Sequence, residues 1–190
     1  MSTGLLFAVA PDPIPGFLYR PDFLSPTEEQ DLLAGIAPLA LGEFRMRGVA
    51  ARRRVLHFGW SYGYERVSIE QGPPMPDFLL PVRSRLAELA GVASNDLAEA
   101  LITEYTPGAG IGWHRDAPMF GLVAAVSLAG PCRMRFRRGA RRNWEYRDQD
   151  LEPRSAYVIS GEARSRWQHS IPPAKALRYS VTFRTLRRRP

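Results

Sequence analysis

Residues 105–118 read YTPGAGIGWHRDAP and place His114 and Asp116 two positions apart, behind a glycine-rich turn. In an extended segment, side chains two positions apart point to the same side, so both can converge on one ion. The preceding glycines let the backbone bend sharply enough to present them. A His-X-Asp pair also occurs often by chance at ordinary turns. The pair alone therefore leaves a metal-binding loop and a plain turn open.

On both sides of this stretch the sequence has the rhythm of a β protein. Short apolar or alternating runs follow one another at intervals of about ten to twenty residues, separated by glycine, proline and charged turns. They are LAEALITEY (97–105), FGLVAAVSL (120–128), RMRFRR (133–138), SAYVISG (155–161) and RYSVTFRTL (178–186). This spacing predicts a β-sandwich or barrel, and the chain length suits a single domain.

Two helices are predicted upstream of these strands. The segment SPTEEQDLLAGI combines a capping box, Ser25 with Glu28, and a proline in the first helical position, which predicts a helix over about 26–37. Helical spacing of apolar residues predicts a second helix over about 77–90, ending near Gly91. The expected fold class is therefore mainly β with flanking helices.

Composition limits the kinds of partner and compartment. The net charge is +7, and arginine supplies nearly all of the positive charge. Arginine suits phosphate and carboxylate groups, although arginine-rich codon usage is an equal explanation. The single cysteine, Cys132, excludes an internal disulfide, and no run reaches the roughly 18 to 20 apolar residues of a membrane span. We expect a soluble, cytoplasmic monomer with no membrane partner.

His169 supplies the third residue that a metal site needs. It lies in SRWQHSIPP, just after the predicted strand SAYVISG. Two imidazoles and one carboxylate form the facial triad that binds Fe(II) and leaves coordination positions open. A catalytic His₂Asp zinc site is chemically possible, whereas a closed structural zinc site lacks ligands.

A second constellation lies in RYSVTFR. One face of this strand is apolar, and the other carries Arg178, Ser180, Thr182 and Arg184. That polar face is either solvated or lines a cavity. Six residues of strand span roughly 20 Å, so the two arginines would lean toward opposite ends of a short dicarboxylate. Together with the His, Asp and His residues, this arrangement favours a cavity.

These motifs in combination resemble the AlkB family of Fe(II)- and 2-oxoglutarate-dependent dioxygenases. The family pattern is His-X-Asp, a distal His, and Arg-X-Asn-X-Thr-X-Arg, which here appears as HRD, QHS and RYSVTFR. The segments ITEYTPGAGIGWH, VSLAGPCRMRF and GEARSRWQH are similar to other family segments. The resemblance runs from about residue 13 to 187 and is strongest from 101 onward.

The resemblance implies a double-stranded β-helix (jelly-roll) core over about 96–187, preceded by N-terminal helices and a substrate lid over about 13–95. It implies that His114, Asp116 and His169 bind Fe(II). Arg178 would pair with the far carboxylate of 2-oxoglutarate, helped by Tyr105, and Arg184 would sit near the carboxylate that chelates iron. Two further cosubstrate positions differ from the family, which has asparagine where this chain has Thr103 and Ser180.

The implied reaction uses O2 and 2-oxoglutarate to hydroxylate an N-linked methyl group of alkylated nucleic acid, as in DNA or RNA repair, with release of formaldehyde. Trp60, Tyr62 and Arg115 are the candidate substrate contacts, and VLHFGWSYGY (55–64) is either part of a lid or a buried strand and turn. His57 is interpreted as a structural or substrate-side residue rather than a fourth ligand. The alternatives are the same chemistry on a protein or small molecule, and a nucleic-acid binding module without catalysis.

Overall fold

The computed structural model of the chain describes residues 13–46, 49–63, 68–140 and 143–187. These residues form twelve strands and three α-helices. The strands are β1 (Phe17–Arg20), β2 (Gly42–Met46), β3 (Val49–Gly63), β4 (Ser68–Gln71), β5 (Leu97–Tyr105), β6 (Ile111–His114), β7 (Phe120–Leu128), β8 (Cys132–Ala140), β9 (Asn143–Leu151), β10 (Ala156–Ile159), β11 (Gln168–Ile171) and β12 (Arg178–Leu186). The helices are α1 (Pro26–Ile36), α2 (Leu80–Ala90) and α3 (Gly161–Ser165).

The strands divide between two antiparallel sheets. The major sheet has the order β1-β10-β7-β12-β5-β3-β2, and β4 pairs with β3. The minor sheet has the order β6-β11-β8-β9. Strand β12 lies inside the major sheet and pairs with β5 on one side and β7 on the other. This arrangement confirms the expected double-stranded β-helix.

Successive side chains along each strand point to opposite faces of the major sheet. Its outer face, which includes Ile102, Val126 and Phe183, packs against buried residues of α1 and α2 such as Ile36 and Leu86. Its inner face packs against the minor sheet, where β7 and β10 meet Met134 and Phe136 of β8. The molecule thus has three layers, with helices outside and an inter-sheet space inside.

Both predicted helices are present. Helix α1 has the predicted capping box, because Ser25 accepts from the backbone of Glu28 while the Glu28 side chain accepts from Ser25 N–H. The second predicted segment starts as a 3₁₀ turn at Asp77–Leu79 and becomes α-helical at Leu80. Pro81 falls in the first turn, where its missing N–H leaves no bond unmade. Gly91 ends the helix in a left-handed conformation.

The N-terminal part contributes strands as well as helices, and a strand in VLHFGWSYGY was one of the two expected alternatives. Of the stretch VLHFGWSYGY, residues 55–63 belong to β3, and residue 64 lies outside the described residues. Strand β3 pairs with β5 from Arg54 to Gly59, so the part before residue 96 shares one sheet with the core. Across the residues that the structure describes, no helix is long and apolar enough to cross a membrane.

Candidate active site

A cavity of about 360 Å³ lies between the two sheets. Inward-facing residues of the major sheet form one wall, among them Glu99, Leu101, Thr103 and Tyr105 of β5 and Ser180, Thr182 and Arg184 of β12. The minor sheet contributes the opposite wall through β6, β8 and β11. Three residues of the polar face predicted for RYSVTFR, Ser180, Thr182 and Arg184, therefore line a cavity rather than solvent, while Arg178 is buried and is not among the lining residues.

The predicted triad converges inside this cavity. His114 ends β6 and His169 lies directly opposite it on β11, while Asp116 follows β6 by two residues. One donor atom from each of these three residues lies within 4.8 Å of the others. Nε2 of His169 is 3.6 Å from Oδ2 of Asp116. Strand pairing thus brings together two histidines that are distant in sequence.

The glycines before the triad allow the loop that contains them to pass close to β11. A Cβ on Gly110 would lie 2.6 Å from the Ile171 carbonyl oxygen, so only glycine fits where the loop passes β11. Gly108 has a φ of 85°, which glycine adopts without strain. Gly108 and Gly110 are therefore required by the crossing that presents His114 and Asp116.

Hydrogen bonds orient the triad toward a shared point. Nδ1 of His114 lies 2.9 Å from the Gly112 carbonyl and donates to it, which leaves Nε2 as the metal-facing atom. Oδ1 of Asp116 accepts from Arg184, at 2.8 Å from both Nε and Nη2. Oδ2 of Asp116 is buried and has no hydrogen-bond partner among the described residues. An unpaired buried carboxylate oxygen beside two imidazoles is a donor set that fits a divalent cation.

Electrostatics hold these groups in the protonation states that metal binding requires. Burial alone raises the pKa of Asp116, but neighbouring positive charge, foremost that of Arg184, outweighs burial and holds this pKa well below its usual range. Burial lowers the pKa of His169 to about 3 and also lowers the pKa of His114. At neutral pH the site therefore offers one carboxylate and two neutral imidazoles.

Arg178 is the second group whose bonding is incomplete. It is fully buried, and its Nε donates to Ser127 Oγ at 3.1 Å. Its Nη1 and Nη2 atoms have no hydrogen-bond partner among the described residues. The guanidinium lies 5.0 Å from the ring centre of Tyr105, which is its register partner on β5. An unsatisfied buried guanidinium fork fits a carboxylate ligand, which accepts two parallel bonds.

Hydroxyl groups lie between Arg178 and the triad. Thr103 and Ser180 are register partners on β5 and β12, and both line the cavity. Ser180 Oγ is 3.3 Å from Thr182 Oγ1. Burial raises the pKa of Tyr105, so its phenol stays protonated and can donate. All of the predicted cosubstrate residues thus share one face of the major sheet.

The candidate substrate contacts are more scattered. Arg115 lines the cavity, is exposed, and donates to the Arg166 carbonyl at 3.0 Å. Trp60 is 37% exposed and does not appear among the described residues that line the cavity. The side chain of Tyr62 lies outside the described part of the structure. The structure therefore brings Arg115 to the site and does not bring Trp60 there.

Sequence reasoning missed one residue that organises the triad loop. Arg164 of α3 is buried and donates to four backbone carbonyls in residues 116–121. These are the carbonyls of Asp116, Ala117, Phe120 and Gly121. The segment GEARSRWQH was noticed only as a resemblance. A buried arginine that binds carbonyls leaves no local pattern, because its partners lie more than forty residues away.

Glu99 was missed as well. It is 1% exposed, and it accepts from Nη1 of Arg184 at 2.8 Å and contacts Nδ1 of His57 at 3.0 Å. The alternation of LAEALITEY does contain a signal, because Glu99 shares the inward parity of Leu101, Thr103 and Tyr105. An acidic residue at an inward position requires a buried cation, and that cation is Arg184.

Comparison with known proteins agrees with this geometry. The model of the 2OG-Fe(II) oxygenase superfamily matches residues 16–184. The alkylated DNA repair protein ALKBH8 homolog of Arabidopsis thaliana is 31% identical, over 93% of this chain and 60% of its own length. The tRNA (carboxymethyluridine(34)-5-O)-methyltransferase alkbh8 of Xenopus tropicalis is 27% identical, over 88% of this chain and 27% of its own length. The chain thus spans only part of these relatives.

Two solved structures share the fold. The structure of OsALKBH1 superposes with a TM-score of 0.65 at 15% identity, covering 90% of this chain and 98% of that one. A prolyl-4-hydroxylase of Pseudomonas putida gives a TM-score of 0.64 at 15% identity, covering 92% and 94%. The chain belongs to the 2OG-Fe(II) oxygenase superfamily. Within that superfamily it is an AlkB-like 2-oxoglutarate-dependent dioxygenase.

Proposed function

We propose that this dioxygenase removes alkyl groups oxidatively from bases of nucleic acid. The observation that carries the proposal is the His-Asp-His triad in the cavity, with the unsatisfied buried Arg178 on the same face of β12 and an adjoining groove lined by Arg52, Arg135 and Trp113. The first two features support the oxygenase chemistry. The groove supports a nucleic-acid substrate.

We assign Nε2 of His114, Oδ2 of Asp116 and Nε2 of His169 as the Fe(II) ligands. When bound, Fe(II) and 2-oxoglutarate supply the oxidation of a C–H bond by O2, with 2-oxoglutarate converted to succinate and CO2. An N-linked methyl carbon that is hydroxylated in this way leaves as formaldehyde. Arg184 keeps Oδ1 of Asp116 occupied, which directs Oδ2 toward the metal.

We assign Arg178 to the far carboxylate of 2-oxoglutarate, because both of its terminal nitrogens lack partners among the described residues. Tyr105 donates to the same carboxylate, and the hydroxyls of Thr103 and Ser180 lie on the same face along the path to the triad. Arg184 lies next to Asp116, at the end of β12 away from Arg178, and places positive charge near the chelating carboxylate. These residues would hold the cosubstrate along β12.

An open groove of about 450 Å³ adjoins the cavity and shares Trp113 with it. Arg52 and Arg135 line this groove. Beside it, the Arg137 guanidinium lies 4.5 Å from the ring centre of Trp113 and 4.3 Å from that of Trp144. Arginines bind phosphates, and aromatic rings stack on bases. This surface therefore supports a single-stranded nucleic acid that reaches the cavity.

The names of the relatives agree with a nucleic-acid partner. The Arabidopsis relative bears the name of an alkylated DNA repair protein, and the Xenopus relative bears that of a tRNA methyltransferase, of which the chain spans about a quarter. Both names concern nucleic acid. The substrate panel therefore includes DNA, RNA and tRNA.

The test is an assay of iron-loaded protein with 2-oxoglutarate and methylated single-stranded DNA, RNA and tRNA. We expect formaldehyde and succinate in equal amounts on at least one substrate, and neither product from the Asp116→Ala variant. Succinate without formaldehyde on every nucleic acid would contradict the proposed substrate and favour a protein or small molecule. A protein that binds no Fe(II) would contradict the enzyme itself and favour a binding module.

A further inference from the structure

His57 extends from β3 into the cavity, on the wall that faces the triad. Val55 and His57 point inward from β3, and Leu101, the register partner of His57, points inward from β5. His57 has a 28% exposed side chain, whereas its neighbour Glu99 is 1% exposed. The His57 ring therefore lies beside the apolar side chains of Val55 and Leu101, on a wall that also carries Thr103.

Glu99 fixes the orientation of this ring. Nδ1 of His57 lies 3.0 Å from Oε1 of Glu99, while Oε2 of Glu99 accepts from Arg184 at 2.8 Å. Because an ionised carboxylate only accepts hydrogen bonds, Nδ1 must carry the proton. In the neutral ring Nε2 is then a hydrogen-bond acceptor, and it has no partner among the described residues.

The same bonds tie His57 to the triad. Arg184 bridges Glu99 and Asp116, with 2.8 Å contacts to each carboxylate. Arg184 and its two carboxylate partners are nearly buried, so a displacement at one end is transmitted to the other. His57 is therefore held at a fixed position relative to the atom that would bind the metal.

We propose that His57, held by Glu99, reads the substrate by accepting a hydrogen bond from an N–H group beside the alkylated nitrogen of a nucleobase. A polar atom that is held in a fixed orientation in a ligand cavity sets ligand orientation and specificity. A base with an oxo group at that position brings two acceptors together and leaves both unpaired, which disfavours binding. This inference rests on the proposed function, because it assumes that the cavity receives a nucleobase.

Two substitutions separate substrate reading from a structural role. His57→Asn places an amide near the Nδ1 position, so it keeps the contact with Glu99 and loses the acceptor at Nε2. His57→Gln places an amide near the Nε2 position, so it keeps an acceptor toward the cavity and weakens the contact with Glu99. If His57 accepts a hydrogen bond from the substrate, His57→Asn should lose more substrate affinity than His57→Gln. If His57 has only a structural role, His57→Gln should lose more.

The measurement is equilibrium binding of labelled single-stranded oligonucleotides to Ni(II)-substituted protein with 2-oxoglutarate. One set carries 1-methyladenine or 3-methylcytosine, which have an amino group beside the methylated nitrogen. The other carries 1-methylinosine or 3-methyluracil, which have an oxo group there. We expect wild type and His57→Gln to prefer the amino set by about tenfold, and His57→Asn to lose that preference. The affinity for 2-oxoglutarate should stay unchanged in His57→Asn, which keeps the contact with Glu99.

An unchanged preference in His57→Asn would overturn the reading role while leaving the proposed function intact. A loss of preference in His57→Gln alone would show that the contact with Glu99, and not the acceptor, matters. Wild-type protein that binds no methylated oligonucleotide more tightly than its unmethylated counterpart would overturn the proposed function and this inference together. Unfolding midpoints of both variants show whether either change acts through stability.

Discussion

At the scale of single residues, the site is defined by polar atoms that lack partners among the described residues. Buried polar atoms are nearly always paired in folded proteins, yet Oδ2 of Asp116 and both terminal nitrogens of Arg178 are not. A lone buried charge destabilises a fold unless a ligand completes it. These atoms therefore support the proposed sites for ligands of opposite charge, a cation at Asp116 and an anion at Arg178.

Arg178→Met tests this interpretation through stability. Removing an unsatisfied buried charge should raise the free energy of unfolding of the ligand-free protein by about 2 kcal/mol. The same variant should bind 2-oxoglutarate about 100-fold more weakly, so the cosubstrate no longer stabilises it. Urea unfolding with and without 2-oxoglutarate measures both effects, with the exposed, ion-paired Arg133→Met as the control. A destabilised ligand-free variant would instead mark Arg178 as a packing residue.

The lowered pKa of His169 predicts how the free energy of unfolding of the metal-free protein depends on pH. The pKa of His169 is about 3 in the folded state and about 6.5 in the unfolded state. Between these values only the unfolded chain holds the proton, so stability should fall as pH drops below about 6.5, by at most about 1.4 kcal/mol per pH unit. Urea midpoints of chelator-treated protein at pH 5, 6 and 7 measure this slope. His169→Gln should flatten it, and an equal slope in that variant would contradict the assignment.

At the scale of elements, local patterns predicted what depends on near neighbours. The capping box at Ser25, the left-handed end at Gly91 and the alternation of β5 and β12 each arise within a few residues, and the structure contains all of them. Arg164 escaped prediction because its partners lie more than forty residues away in sequence, whereas the alternation of β5 shows that Glu99 points inward but not that its partner is Arg184 of β12. The pairing of β3 with β5 escaped for the same reason as Arg164, since it joins residues that are 40 to 50 positions apart.

Replacing Arg164 should destabilise the loop of residues 116–121, whose carbonyls it binds. Arg164→Met should leave four carbonyls without their donor and lower the free energy of unfolding by about 3 kcal/mol. It should also speed hydrogen exchange in residues 116–121, which carry Asp116. Arg166→Met, two positions away and with a 68% exposed side chain, should change stability by less than about 0.5 kcal/mol. Equal exchange in both variants would exclude Arg164 as the anchor of this loop.

At the scale of the whole molecule, the distribution of charge bears on how the proposed nucleic-acid substrate would reach the cavity. The chain carries a net charge of +7, but several arginines are already neutralised. Arg133 pairs with Asp150 at 2.7 Å, whereas Arg52 and Arg135 line the groove beside the cavity. Only charges that can release counterions from phosphates add to the salt dependence of binding. The position of an arginine therefore matters more than the total charge.

This distinction gives a prediction for nucleic-acid binding. Arg52→Ala should weaken binding to single-stranded DNA or RNA of any sequence and lower the slope of log affinity against log salt by about 1. Arg135→Ala should act in the same direction but less, because Asp148 lies 3.8 Å from its Nε. Arg133→Ala lies on the same strand as Arg135 and should leave the slope unchanged. Fluorescence anisotropy across a salt series measures all three, and identical slopes for Arg52→Ala and wild type would exclude the groove as the path of the strand.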